Sequence, residues 1–281
     1  MNVYLATPHT YRFENMNIYL ATPNSSYFLN AYKEMEIYLA GAYSRPNVIK
    51  DKDKIFVLES FFYIQEWMYP YIKNHWDFML DSGAFSTFAD PQKAKEVDWT
   101  TYVKNYIKLI NKLDIDLFFE LDIDAIVGIK KVEYYRKLIE DGTGKQPIPV
   151  WHSNRKWDYF EQMCEDYNYV ALGTTTANEE GKRMRNKPKV LANFINYAHK
   201  NNTKIHGLGF TSIPKLTYLK WDSVDSTAWI YGNRGGFIYK FTGRDLIKIQ
   251  APKGKKLKAK KVAEHNFKEW VKFQKYAKHN L

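Results

Sequence analysis

Cysteine is almost absent from this sequence, since Cys164 is the single one among 281 residues. A disulfide within the chain is therefore excluded, and so is a zinc site built from several cysteines. Long apolar runs are absent too, because no window approaches the roughly 18 consecutive apolar residues that predict a transmembrane helix. The first residues lack the basic region, apolar run and cleavage site of a signal peptide. We therefore expect a cytoplasmic protein that has no membrane partner.

Acidic residues are outnumbered by basic ones, 31 to 42, which gives a formal net charge of +11. An excess of this sign favours a polyanionic partner, with nucleic acid first. A lysine-rich run near the end of the chain either contacts phosphates without reading sequence or forms a solvated linker. Its lysines are Lys253, Lys255, Lys256, Lys258, Lys260 and Lys261.

A short apolar motif is repeated at the start of the chain. MNVYLATPH at 1–9 returns as MNIYLATPN at 16–24 and, more loosely, as MEIYLAGAY at 35–43. Each copy is typical of a short strand closed by a turn, and the spacing does not match a solenoid repeat. We predict a small N-terminal strand-repeat extension over 1–34, without a catalytic role.

Apolar runs then alternate with amphipathic segments along the chain. The runs are continuous, as is typical of parallel strands buried on both faces. The predicted strands are 36–40, 55–59, 78–81, 116–121, 148–151, 169–173, 204–208 and about 222–230. Helices are predicted over 98–113, 131–142 and 188–200.

Eight strands with intervening helices predict an α/β fold, a (β/α)8 TIM-type barrel over residues 35–250. A doubly wound open sheet is the alternative, although no G-x-G-x-x-G motif supports a dinucleotide-binding version. Residues 251–281 are predicted to hold the lysine-rich segment and a basic C-terminal helix over 262–279.

Carboxylates follow several of the predicted strands. LDSGAFS contributes Asp81, ELDID contributes Asp122 and Asp124, and DSVDSTAW contributes Asp222 and Asp225. A barrel has its chemistry at these strand ends, and buried charges are costly unless they are paired or used. An all-oxygen magnesium site and covalent catalysis by a carboxylate nucleophile with a second carboxyl as acid both remain open. A lone aspartate at a strand end is more commonly a cap or a turn residue.

The same segments resemble the tRNA-guanine transglycosylase superfamily, whose members are (β/α)8 barrels. LDSGAFS is similar to that family's D-S-G-G-[FY]-Q motif, and DSVDSTAW is similar to its D-x-F-D-[CS] segment. YVALGTTT resembles its Gly-Gly-Leu loop, and HGLGF resembles its Met/Leu-Gly-Val-Gly strand. The segments occur in the family's order over residues 78–230.

Three departures from the family pattern indicate a particular branch. The C-x-C-x-x-C zinc site is missing, Ala84 and Ser86 replace a glycine and a glutamine of the first motif, and an RNA-binding appendage is not recognisable. The pattern resembles the zinc-less deazapurine DNA-modification transglycosylases, which include phage-encoded members. That resemblance implies no zinc or other cofactor, and a location in the host cytoplasm if the protein is phage-encoded.

The resemblance also implies roles for individual residues. Asp225 would be the nucleophile, Asp81 the general acid and base, and Asp122 the acceptor for the donor edge of a guanine-like base. Further base contacts are implied for Ser82, Gly83, Phe85, His152, Gly173, Thr174 and Gly207. Nucleic-acid contacts are expected of Arg234 and the six lysines, although a simple turn also explains the segment around Arg234.

The function implied is replacement of guanine in DNA by a 7-deazaguanine base of the preQ0 type. The same exchange on tRNA is the first alternative, and a catalytically inactive barrel that binds nucleic acid is the second. A retaining glycosidase acting on sugars is disfavoured because the basic charge does not suit a neutral carbohydrate. A homodimer is left open. Asp222 is expected to be structural, and His206 to be a hydrogen-bonded core histidine.

Overall fold

The computed structural model describes residues 17–22, 55–83, 96–173, 179–210, 213–216, 218–226, 229, 235–254 and 258–280. The strands are β1 (Asn17–Thr22), β2 (Ile55–Ser60), β3 (Trp76–Asp81), β4 (Leu117–Phe118), β5 (Val150–His152), β6 (Tyr169–Gly173), β7 (Lys204–Leu208), β8 (Ser223–Ser226), β9 (Phe237–Phe241) and β10 (Leu246–Gln250). The α-helices are α1 (Tyr69–Asn74), α2 (Trp99–Leu113), α3 (Asp124–Val127), α4 (Ile129–Thr143), α5 (Trp157–Asp166), α6 (Glu179–Arg185), α7 (Pro188–Lys200), α8 (Ile213–Leu216) and α9 (Ala259–Asn280). None of the helices within these ranges is long and apolar enough to cross a bilayer.

Strands β1 to β8 form one parallel sheet in the order β4-β3-β2-β1-β8-β7-β6-β5. Phe119, directly after β4, also pairs in parallel with Ile148, just before β5. Two hydrogen bonds support this bridge, from Glu120 N–H to the Ile148 carbonyl at 3.0 Å and from Ile148 N–H to the Phe118 carbonyl at 2.8 Å. The bridge joins the two outer strands of the sheet. A (β/α)8 barrel requires this connection, and the barrel itself remains a prediction.

Strand β1 contains the second copy of the N-terminal repeat. It lies between β2 and β8, with Leu20 opposite Val57 and Tyr19 opposite Asp225. This position differs from the predicted separate extension over 1–34, and the strand predicted at 36–40 falls outside the described residues. The repeated copies have nearly the same apolar pattern, so the sequence could not indicate which of them joins the sheet.

The helices follow the sequence signals closely. Helix α2 begins after Asp98, whose Oδ1 accepts the N–H groups of Thr100 and Thr101 at 3.1 Å each. Helix α7 has the predicted bounds, with proline in its first turn. Helix α4 continues past Gly142, where the predicted helix ends, to Thr143, and Gly144 caps it with φ +67°. At Gly142 a β-carbon would lie 2.9 Å from the Ile107 side chain, so α4 can pack closely on α2 there.

The C-terminal part of the chain adds a hairpin and a buried helix. Strands β9 and β10 pair antiparallel, in a segment to which the sequence analysis assigned no strand. Helix α9 packs on this hairpin and against β1 and β2. Its Phe267, Trp270 and Phe273 are buried, and the Gln274 amide donates to the Phe56 carbonyl at 2.6 Å. The predicted helix is therefore present, and one face of it belongs to the core.

Candidate active site

The candidate site lies at the carboxyl ends of the strands, next to one face of the sheet. A small apolar cluster covers that face. Its members are Phe56, Leu58, Met79, Phe119, Ile148, Val150 and Ala171. Side chains two apart on a strand share a face, so Asp81 follows Met79 and His152 follows Val150 on this side. The fully buried His206 ring contacts Phe119 edge to face at a centroid distance of 5.2 Å. The fold therefore brings the predicted site residues of different strands to one end of one face.

Asp225 is held on β8 by two donors. Its Oδ1 accepts the backbone N–H of Gly209 at 2.5 Å and approaches His206 Nε2 at 3.3 Å. Asp225 is 7% exposed, so it is nearly buried but keeps some contact with solvent. Among the described residues no donor is placed on Oδ2, which leaves that oxygen available to a substrate.

His206 links Asp225 to further polar groups behind it. Its Nδ1 is hydrogen-bonded to Ser223 Oγ, and Ser223 Oγ is in turn 2.5 Å from the Tyr169 hydroxyl. If Ser223 donates to Nδ1, the neutral imidazole has its proton on Nε2 and donates it to the Asp225 carboxylate. His206 is the hydrogen-bonded core histidine expected from its sequence, but its contact with the predicted nucleophile was not expected.

Asp81 ends β3 and is placed near two other carboxylates. Partial burial, followed by repulsion from Asp225 and then Asp122, raises the pKa of Asp81 from 3.8 to about 7. The N–H of Gly83 donates to its Oδ2 at 3.3 Å and opposes the shift. Near neutral pH this carboxyl therefore exists in both forms, as a group that gives and takes protons must.

The turn after Asp81 depends on Gly83. Its φ is +77°, and a β-carbon there would lie 2.8 Å from the Tyr102 hydroxyl, so any side chain would be both strained and crowded. The same hydroxyl donates to the Ser82 carbonyl at 2.6 Å. Ser82 itself is 1% exposed, and its Oγ has no hydrogen-bond partner among the described residues. A buried hydroxyl without a partner costs free energy, which a bound polar ligand could recover.

A hydrogen-bonded unit joins three strand ends: Asp122 after β4, His152 at the end of β5 and Gly173 at the end of β6. His152 Nε2 lies 2.6 Å from Asp122 Oδ1, and its Nδ1 lies 3.2 Å from the Gly173 carbonyl oxygen. A β-carbon at Gly173 would be 2.2 Å from His152 Cε1. Burial lowers the pKa of His152, but the Asp122 carboxylate outweighs it and raises the pKa above its usual range.

Two of the glycines predicted to contact the base have side chains packed closely beside them. The open space beside Gly173 is filled by the His152 ring, so its missing side chain serves an internal contact. At Gly207 a β-carbon would be 3.2 Å from the Trp221 ring and from Phe210 Cβ. The signal that identified them, a glycine at a strand end, does not distinguish close packing from close approach of a ligand.

Two ionisable residues near the site were not predicted from the sequence. Glu59 near the end of β2 is 2% exposed, and burial, with a smaller contribution from Asp81, raises its pKa well above the usual range. Arg185 of α6 donates to the Gly209 carbonyl at 2.6 Å and interacts electrostatically with Asp225. The glutamate that closes the apolar run IFVLE was a usable signal for the first, whereas no local pattern indicates Arg185.

A buried ion network supports the segment that holds Asp122. Glu120 is fully buried and accepts Arg136 Nε at 2.6 Å, Val150 N–H at 2.8 Å and Arg155 Nη1 at 3.2 Å. Arg155 also donates to Asp124 Oδ2 at 3.3 Å. Asp124 is therefore a partner of this network.

Asp222 has the structural role expected of it. Its Oδ2 accepts the backbone N–H of Ile205 at 2.7 Å and a contact from His199 Nε2 at 2.9 Å. Both partners lie at the start of β7 or on α7, away from the strand ends that hold Asp225. Asp222 directly precedes β8 and Asp225 lies on it, so the two aspartates of DSVD have different hydrogen-bond partners although they are three residues apart.

Some of the predicted site residues cannot be compared with the structure. Phe85, Thr174, Arg234, Lys255 and Lys256 lie outside the described residues. Of the remaining lysines of the basic run, Lys253, Lys258 and Lys261 are exposed, and Lys260 lies in the first turn of α9.

Within the described ranges, no group of three or more histidine, cysteine, aspartate or glutamate side chains is arranged to hold a metal ion. No family model, curated protein or solved structure matches this chain. The function must therefore be argued from the site itself and from the motifs in the sequence.

Proposed function

We propose that this protein is a base-exchange transglycosylase that replaces guanine in DNA with a 7-deazaguanine base through a covalent Asp225 intermediate. The proposal combines the motif resemblance with the geometry of the strand ends. It assumes that the eight-stranded parallel sheet closes as a (β/α)8 barrel, since that fold presents the ends of all its strands to one site.

The observation that carries the proposal is the difference between two carboxyl groups in one cluster. Asp81 has a pKa of about 7, raised by burial and by repulsion from Asp225. Asp225 is fixed by a backbone N–H and a histidine. A proton-transferring carboxyl beside an oriented carboxylate is the pair that a double displacement at an anomeric carbon requires.

The reaction then has two balanced steps. Asp225 attacks C1′ of a deoxyguanosine, the glycosidic C–N bond breaks, and Asp81 gives its proton to the departing guanine. The incoming deazaguanine loses its proton to Asp81 and attacks C1′, which breaks the ester to Asp225. Two inversions leave the configuration at C1′ unchanged, and Asp81 is ready for another cycle.

Recognition of the base is assigned to Asp122 and Ser82. A carboxylate accepts hydrogen bonds from the N1–H and the 2-amino group of guanine, which adenine lacks. Asp122 has one oxygen engaged by His152 and a side chain that is 25% exposed, so its second oxygen can reach a ligand. The Ser82 hydroxyl, which has no hydrogen-bond partner in the described part of the chain, offers a further donor or acceptor.

DNA is proposed as the polymer because the motif departures resemble the DNA-modifying branch. The exposed lysines at 253, 258 and 261 suit a phosphate backbone, which they would bind without reading sequence. The target nucleotide must leave the duplex stack or be single-stranded to reach C1′. The proposed setting is the cytoplasm, where the nucleic acid and free bases occur.

The direct test is incorporation of labelled guanine or preQ0 into duplex DNA, single-stranded DNA and tRNA. We expect incorporation into DNA, together with a protein–DNA adduct that resists denaturation. Asp225→Asn should abolish both, whereas Asp222→Asn, the matched change three residues earlier, should keep the adduct. Incorporation into tRNA alone would transfer the proposal to tRNA, and an adduct that persists in Asp225→Asn would refute the assigned nucleophile.

A further inference from the structure

The contacts of His152 determine where its protons are. The Gly173 carbonyl can only accept, so Nδ1 must be the donor in their 3.2 Å contact. Nε2 faces Asp122 Oδ1 at 2.6 Å, and imidazole is the more basic of these two groups. Both ring nitrogens therefore have a proton when the contacts are made, and His152 is an imidazolium paired with a carboxylate.

The ring has a site built for it. Gly173 leaves the space that the imidazole occupies, since a β-carbon there would be 2.2 Å from Cε1 and 2.4 Å from Nδ1. His152 is 12% exposed as a side chain, and the charged groups facing it are Asp122 after β4, Asp124 on α3 and Arg155 after β5. The two carboxylates favour the cation and Arg155 disfavours it, so the pair with Asp122 decides the balance.

The consequence concerns Asp122. Among the described residues His152 is its hydrogen-bond partner, so the imidazolium fixes the rotation of the carboxylate and leaves its second oxygen without a partner within that part of the chain. We infer that His152 is a positioning residue which, while protonated, holds Asp122 in the orientation that accepts the donor edge of a guanine-like base. Loss of that proton would point a nitrogen lone pair at the carboxylate and release it. This inference rests on the proposed function only in the identity of the base.

The first experiment needs no activity. Histidine labelled with ¹³C and ¹⁵N should give a His152 signal that keeps both protons to higher pH than a free histidine does. Asp122→Asn should move that titration to lower pH. A titration that is unchanged in Asp122→Asn would overturn the inference, because the pair would then not control the ring.

A second experiment tests the site for the ring. Gly173→Ala should lower the melting temperature because the new methyl group collides with the imidazole. When His152 is already alanine, adding Gly173→Ala should lower the melting temperature much less, because the ring is no longer there. Equal losses in the two backgrounds would show that the ring does not occupy this space, and would overturn the inference.

The third experiment separates base recognition from chemistry. The KM for guanine should rise about tenfold as His152 deprotonates, the effect expected of a lost charged hydrogen bond. His152→Gln, which donates to Asp122 at any pH, should keep KM nearly constant over the same range, while kcat still follows Asp81. If the KM of His152→Gln still depended on pH, the inference would be overturned, while the proposed exchange activity would stand. Absence of exchange on any polymer would instead refute the proposed function. The first two experiments would still show whether His152 is paired with Asp122.

Discussion

The backbone N–H of Gly209 lies 2.5 Å from Oδ1 of Asp225, and the φ of Gly209 is +60°. The residue after β7 thus turns into the left-handed region and presents its amide to the proposed nucleophile. This amide fixes the carboxylate in the ground state. A carboxylate that is already held in one orientation attacks C1′ more readily, so the alignment of this amide should matter for the rate.

Gly209→Ala should lower kcat at least tenfold, because an alanine strained at this φ would move the amide away from Asp225. Gly243→Ala is the matched control, since Gly243 also has a positive φ, +96°, and open space around it, but lies in the β9–β10 turn. Both variants should lose about 1 kcal/mol of unfolding free energy. Equal kcat values in the two variants would contradict a role for the Gly209 amide.

Asp81→Asn should stabilise the protein at pH 8 while it abolishes exchange. Asp81 has a pKa of about 7 when folded against an ordinary value of 3.8. The folded state therefore binds a proton that the unfolded state has lost, and its stability falls as pH rises through this window. Thermal melts should show a gain for Asp81→Asn at pH 8 that vanishes near pH 4. A gain that is the same at both pH values would show that Asp81 is not responsible.

Glu120→Gln should cost about 3 to 5 kcal/mol of unfolding free energy, because it leaves Arg136 and Arg155 buried without their shared carboxylate. Urea denaturation measures the loss. Asp141→Asn is the control: it removes an exposed pair with Lys137 at 3.1 Å, which should cost less than about 1 kcal/mol. If both variants lost a similar unfolding free energy, the buried network would not support the segment that holds Asp122.

Replacing Lys258 and Lys261 by serine should weaken DNA binding and reduce the slope of log K against log salt by about 2. Both side chains are exposed. Substitution is a sharper test than truncation, because removing α9 would expose the buried Trp270 and Phe273. Lys104→Ser/Lys108→Ser on the exposed face of α2 makes the same charge change elsewhere. If both double variants change the slope equally, the basic run has no special contact with phosphate.

Local signals predicted the helices well because they act over a few residues. Asp98 caps α2 and Pro188 begins α7, as the sequence indicates. The β9–β10 hairpin was not predicted, although FIYKF and LIKIQ flank a turn with Gly243, because it follows the eighth strand of the predicted barrel and adds no strand to it. The place of β1 could not be predicted, since it depends on which of three similar copies pairs with β2 and β8.

The site residues divide in the same way. The order of the motifs indicated Asp81, Asp122 and Asp225. In the structure, Asp225 and Asp122 lie close enough to Asp81 to raise its pKa by charge repulsion. The partners that tune them come from distant positions. His206, Glu120 and Arg185 have no local signature, because their importance arises from burial and from contacts that only the folded chain creates.

The contact between Gln274 and the Phe56 carbonyl joins residues 218 positions apart, and β1 pairs with β8 across a similar span. A chain emerging from the ribosome cannot cover β2 until α9 has been synthesised. Such long closures are slow and leave strand backbone open in the meantime. The nascent protein should therefore complete its fold only after α9 has left the exit tunnel, and its exposed strands would need a chaperone until then.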